Sequence, residues 1–133
     1  MIKVVLDTNI LVSSLLSPGP PAAIVDLVAN GRIIPFFNDL ILREYRDVLS
    51  RKKFGFSSMQ IIRLIENITK AGMAFEKIPS GKIKMIDEDD RVFHDTALGT
   101  NSYLVTGNIR HFPPRPFIVT PARFLTIYYK AKS

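Results

Sequence analysis

Short apolar runs alternate with helix-like stretches along this chain, and polar punctuation separates them. Ile2 to Leu6 (IKVVL) is rich in β-branched residues and predicts a short buried strand. Asp7-Thr8-Asn9 follows at once. Ile10 to Leu16 then resumes as a short helix, ended by Ser17-Pro18-Gly19-Pro20. Pro21 suits the first turn of the next helix, and Asn30-Gly31 suits its end. Ile33 to Phe37 predicts a second strand, interrupted by Pro35. Asn38 or Asp39 can cap a helix that runs to about Ser50. Ser57 or Ser58 can cap another, from Met59 to Ala71. Phe75 to Ile78 predicts a third strand, and Pro79 to Ile86 a loop. A helix is expected from Asp89 or Asp90 to Leu98, ended by Gly99. Tyr103 to Thr106 predicts a fourth strand and Arg110 to Pro116 a proline-rich loop. Phe117 to Val119 is the fifth strand candidate, and Pro121 opens a last helix to about Lys130.

This alternation predicts a parallel sheet with helices on both faces, and no repeat or domain boundary interrupts it. In such sheets ligands gather outside the carboxyl ends of the strands. Asp7 and Asn108 fall at strand ends by sequence alone. Asp90, at the start of the helix that feeds the fourth strand, can face the same crevice.

Composition narrows the chemistry. The 133 residues contain no cysteine, which excludes disulfides, thiolate metal sites and cysteine nucleophiles. The formal charge of +6 favours a polyanion such as nucleic acid as partner. No apolar run approaches a membrane span, and Met1-Ile2-Lys3 enters the first strand without a signal-peptide layout. One soluble cytoplasmic domain over residues 1–133 is expected. The acids are unevenly placed: Asp87, Glu88, Asp89 and Asp90 are consecutive, and none follows Asp95. Such a cluster is either a solvated loop or a place where carboxylates hold a divalent cation.

Each candidate has an ordinary use beside the chemical one. Asp7 can cap a helix, serve the crevice, or do both. Thr8 and Asn9 can simply shape the turn. Glu44 lies at the edge of a helical stripe that includes Ile41, Tyr45 and Val48, roughly 60° from its centre, and can lean inward or toward water. Asp90 is well placed as an N-cap. Asp95 sits about 140° around the helix from Asp90 and is as easily a surface residue as a ligand. His94 and His111 lack metal-ligand spacing and are expected at the surface, and Phe112 is expected to pack its loop. Ser13 and Ser14 have no GxSxG turn, and the chain carries no P-loop or GxGxxG.

Taken together, these segments resemble the PIN-domain family, near the VapC-type toxin components of prokaryotic toxin–antitoxin pairs. KVVLDTNILVSSLL is similar to the first motif of the family, and LILREYRDVLSRKKF to the second. DEDDRVFHDTALGTNSYLVTGNIRHF is similar to the third and fourth combined, and PFIVTPARFL to the tail of one subgroup. The resemblance spans nearly the whole chain in the family's motif order. It implies a three-layer α/β/α sandwich with a five-stranded parallel sheet and a metal-dependent ribonuclease using Mg²⁺ or Mn²⁺. It further implies Asp7, Glu44 and Asp90 as catalytic and metal-holding acids, a cognate antitoxin and a homodimer. The fourth acidic position holds Asn108, which brings an amide oxygen without charge. Asp95 is the expected auxiliary acid, Asn9 and Thr106 the auxiliary polar groups, and Arg110 and Arg115 the RNA-binding cations. Hard oxygen ligands suit these ions, which activate water and neutralise phosphate charge without histidine or cysteine. Two other classes remain open. One is a degenerate domain that binds RNA or protein and cuts weakly. The other is a phosphotransfer enzyme, for which the chain lacks Asp-x-Asp and a receiver-type acidic pair.

Overall fold

The computed structural model describes residues 1–76 and 85–132. Among these residues five strands are formed: β1 (Lys3–Leu6), β2 (Ile34–Phe37), β3 (Met73–Ala74), β4 (Tyr103–Val105) and β5 (Ile118–Val119). The helices are α1 (Thr8–Leu16), α2 (Pro20–Ala29), α3 (Asp39–Leu49), α4 (Ser58–Ala71), α5 (Arg91–Thr100) and α6 (Pro121–Lys132). Single 3-10 turns cover Lys52–Phe54, Glu88–Asp90 and Ile109–His111.

The sheet is parallel throughout, in the order β3-β2-β1-β4-β5. Val4, Val5 and Leu6 are wholly buried, as a central parallel strand covered on both faces requires. From β1 the chain moves outward through β2 and β3, then returns to build β4 and β5 on the other side. Crossovers running in opposite directions from β1 put helices on both faces, giving the α/β/α layering that the alternation predicts. α5 packs on β1, β2 and β4, while α6 packs on β4 and α2. The reversal leaves a crevice at the carboxyl ends of β1 and β4, where neighbouring connections diverge.

Capping follows local chemistry closely. Asn38 Oδ1 accepts the Ile41 N–H at 2.9 Å to start α3. Ser57 and Gln60 form a reciprocal box at α4, at 2.8 and 3.1 Å, a device worth about 1 kcal/mol. Pro35 is tolerated inside the sheet. The Ile34 N–H faces β1 and bonds to Ile2, so the Pro35 nitrogen faces the other way, where β3 pairs only with Phe36 and Phe37. Gly72 leads into β3, and a Cβ there would lie 2.1 Å from the Pro35 carbonyl oxygen.

Three boundaries differ from the sequence expectation. β3 lies at Met73–Ala74, ahead of the expected Phe75 to Ile78, and among the described residues the Phe75 N–H extends the pairing, to Phe37. Lys77 and Ile78 of that expected strand, and most of the Pro79–Ile86 loop, lie outside the described residues. α1 starts at Thr8, because Asp7 caps it directly. α5 runs through Gly99 to Thr100 and stops at Asn101, which takes the left-handed conformation at φ 56°. A Cβ on Gly99 would sit 2.8 Å from the Phe75 ring, so the glycine admits a neighbour instead of ending the helix. No single helix among the described residues is long and apolar enough to cross a membrane.

Candidate active site

Asp7 is where β1 meets α1. Its N–H donates to the Val105 carbonyl at 3.0 Å, tying it to the end of β4. Its Oδ1 accepts the Thr8 N–H at 2.8 Å. Its Oδ2 accepts the Thr106 hydroxyl at 2.7 Å and the Asn9 amide at 3.1 Å. Asp7 is therefore both cap and crevice residue. Burial pushes its pKa up, and these hydrogen bonds together with the nearby His111 pull against that rise.

The loop after β4 is built onto the same carboxylate. The Asn108 N–H donates to Thr106 Oγ1 at 3.0 Å, and that hydroxyl in turn donates to Asp7. The Gly107 N–H donates to Asn9 Oδ1 at 3.0 Å. Thr106 and Asn9 thus act as braces between the first acid and the fourth-strand loop. The Asn108 amide lies 3.2 Å from both ring nitrogens of His111.

Asp90 departs from the capping role its position suggests. Asp87 caps the 3-10 turn instead, accepting the Asp89 N–H at 3.0 Å, and Asp90 makes no side-chain capping bond. Its carboxylate is left for the crevice. The Oδ2 atom is shielded from solvent and has no hydrogen-bond partner among the described residues, and the His111 Nδ1 lies 3.7 Å from it. Burial, then the negative charges of Asp7 and Asp87, push the Asp90 pKa up to about 6.

Glu44 leans toward the acids. It is half-buried and lines a hollow of about 240 Å³ with Leu40, Arg43, Asp47, Glu88, Asp89 and Val92. Burial raises its pKa first, Asp89 next, and Asp7 contributes, while Arg51 opposes. Its neighbour Tyr45 sets this placement. The Tyr45 hydroxyl donates to the Leu6 carbonyl at 2.6 Å, pinning α3 to the end of β1. The Asn38 amide donates to Thr96 Oγ1 at 3.0 Å, joining α3 to α5.

The histidines part from expectation in different ways. His94, expected at the surface, is fully buried, because α5 turns Phe93, His94 and Ala97 inward. Its Nδ1 pairs with Asp95 at 2.7 Å and its ring packs beside Phe117, with centroids 5.7 Å apart. The Asp95 carboxylate thus serves His94, and its charge also supports the Arg91 cation. His111 is half-exposed but faces the acids. Its partners come from separate segments, and only the HF pair after Asn108, with Phe112 buried beneath the loop, hinted at it. Arg110 and Arg115 line an adjoining hollow of about 680 Å³ with Ile109 and the three loop prolines.

The donors gathered here are hard oxygens that share unneutralised charge, which suits a hard divalent cation. The orphaned Asp90 oxygen is an observation in favour of that fit. Among the described residues, however, no three His, Asp or Glu side chains stand together as a ready-made metal cage.

A family model for the PIN domain matches residues 3–110. This chain belongs to the PIN-domain family. The match runs from β1 to the turn after β4 and takes in Asp7, Glu44, Asp90, Asp95, Thr106, Asn108 and Arg110, with His111 just beyond it. This PIN domain is also similar to Uncharacterized protein MJ1680 of Methanocaldococcus jannaschii, 30% identical over 112 residues. That alignment covers 80% of this chain and 71% of the relative. PIN domains are generally nucleases, so the fold is of nuclease type.

Proposed function

We propose that this PIN domain is an endoribonuclease that hydrolyses RNA phosphodiester bonds with Mg²⁺ or Mn²⁺. In the same reading it is one domain over residues 1–133, the cytoplasmic toxin of a prokaryotic toxin–antitoxin pair, a homodimer, and held inactive by its cognate antitoxin. The observation that carries the nuclease reading is the buried, unpartnered Asp90 Oδ2, held in the field of Asp7 where the sheet order reverses.

Asp7, Glu44 and Asp90 would hold the ion. When bound, a divalent ion supplies an activated water and neutralises charge on the phosphate. Thr106 and Asn9 keep the Asp7 carboxylate oriented, and Tyr45 keeps Glu44 in reach. Asn108 and Asp95 are the auxiliary positions, one offering an amide and the other a carboxylate that already pairs with His94. Arg110 and Arg115 would grip the RNA backbone beside the acids.

One observation favours a second reading. The fourth acidic position carries an uncharged amide, consistent with a domain that binds RNA or protein and cuts weakly. The full chain, incubated with single-stranded RNA and Mg²⁺ or Mn²⁺, is expected to cleave it. Cleavage is expected to stop with chelator and in the Asp7→Asn variant. RNA binding without metal-dependent cleavage would select the second reading, and undiminished cleavage by folded Asp7→Asn would overturn the first. Co-purification with a neighbour-encoded inhibitor tests the toxin assignment separately.

A further inference from the structure

His111 is placed firmly, although its ring is half-exposed. The 3-10 turn Ile109–His111 is closed by the His111 N–H to Asn108 and the Phe112 N–H to Ile109, at 3.0 and 3.2 Å. Phe112, only 4% exposed, anchors the far side of the turn. The ring is thereby held with Nδ1 at 3.7 Å from Asp90 Oδ2, the oxygen that lacks any hydrogen-bond partner. That separation is too long for a hydrogen bond. It lies within the ~4.2 Å that two donors can span across one ion with bonds of about 2.1 Å.

The Asn108 amide completes the arrangement. It lies 3.2 Å from the ring nitrogens, and amide oxygen and nitrogen are interchangeable by a flip. The same amide atom is equidistant from Nδ1 and Nε2, so it rests against the ring and restrains it by contact, in line with neither nitrogen's N–H nor lone pair. A histidine binds metal through a ring nitrogen that is neutral and within reach of the ion. His94 lacks this opportunity: it is wholly buried, and its Nδ1 is engaged by Asp95.

We propose that His111 is a nitrogen donor to the divalent ion at Asp90, and that it biases the site toward first-row transition-metal ions over Mg²⁺. The inference rests on the metal-dependent reading above and adds which ion the site prefers. Mg²⁺ takes oxygen donors and sheds water reluctantly, whereas imidazole suits transition metals and the preference rises from Mn²⁺ to Co²⁺. A neutral amide in place of the fourth carboxylate removes part of the charge that a Mg²⁺ site relies on.

The test is calorimetric titration of the full chain with Mg²⁺, Mn²⁺ and Co²⁺, together with the visible spectrum of the Co²⁺-loaded protein. His111→Ala, at a half-exposed ring, is expected to fold and to weaken Co²⁺ and Mn²⁺ binding by roughly 10–100-fold. Its Mg²⁺ binding is expected to change much less, and its Co²⁺ spectrum to shift as nitrogen is lost. His111→Gln replaces the nitrogen donor with an amide oxygen and is expected to keep Mg²⁺ binding without restoring the Co²⁺ preference. An unchanged spectrum with unchanged ratios among the three ions in both variants would overturn the proposal, as would equal weakening of all three. Asp90→Asn separates the two levels. If it abolishes ion binding while the His111 variants keep wild-type ratios, the assignment of His111 alone fails. If Asp90→Asn leaves all binding intact, or the wild type binds none of the ions, the metal reading fails with it.

Discussion

Replacing Asp90 by Asn removes one charge from a crowded acidic crevice, where burial and the charges of Asp7 and Asp87 outweigh His111, so the metal-free protein is expected to become more stable. The size follows from the titration of the group. Asp90 rises from an ordinary 3.8 to about 6 in the folded chain. A rise of that size corresponds to about 3 kcal/mol as an upper limit. The side chain keeps 18% exposure at the rim, so solvent screening trims the effect to about 1–2 kcal/mol. The sign is set by the direction of the rise. The folded chain holds this proton more tightly than the unfolded one. The stabilisation is complete below about pH 4 and is lost as pH climbs to about 6. In chelator at pH 7.5, Asp90→Asn is therefore expected to melt roughly 3–6 °C above wild type. By pH 4, where the wild-type carboxyl is protonated, the gap is expected to close. Urea unfolding at both pH values measures this directly. Adding a divalent ion at saturating concentration is expected to raise the wild-type melting point through linkage and to leave the variant nearly unmoved. A variant no more stable than wild type in chelator at pH 7.5, or a gap that persists unchanged at pH 4, would refute the reasoning.

Tyr45→Phe removes the hydroxyl that donates to the Leu6 carbonyl and leaves that buried oxygen unsatisfied, so a loss of about 1–2 kcal/mol is expected by urea unfolding. Because the bond also holds α3 against β1, RNA cleavage by the folded variant is expected to fall; full cleavage would detach Tyr45 from placement of Glu44. Thr106→Val strips Asp7 of its shortest hydrogen bond and leaves the Asn108 N–H without its acceptor. It is expected to cost about 1–3 kcal/mol and to raise the Asp7 pKa further, which carboxyl-resonance NMR titration follows. Asn108→Asp adds a negative charge beside the cluster. Calorimetry is expected to show tighter divalent-ion binding, and melting in chelator a modest loss of stability. If neither changes, position 108 stands outside the ion's reach.

Local chemistry, legible in the chain, decided most elements of this molecule. IKVVL is too apolar and β-branched to be anything but a buried strand, and Asn38 and Ser57 cap their helices through bonds to residues three positions away. Asp7 was visible for the same reason, since a carboxylate between a buried strand and a helix stands at the crevice by topology alone. The placement of the other groups depended on segments distant in sequence. Asp90 is free for the crevice because Asp87 takes over the capping bond, and its pKa is raised first by burial and then by the charge of Asp7, 83 positions earlier. Gly99 looks like a helix stop, yet it lies inside α5 because the Phe75 ring needs the space a Cβ would fill. His94 and His111 look alike in the sequence. Tertiary packing buries the first against Phe117 and turns the second toward Asp90, since helix phase and loop anchoring, rather than residue type, set the environment of an imidazole.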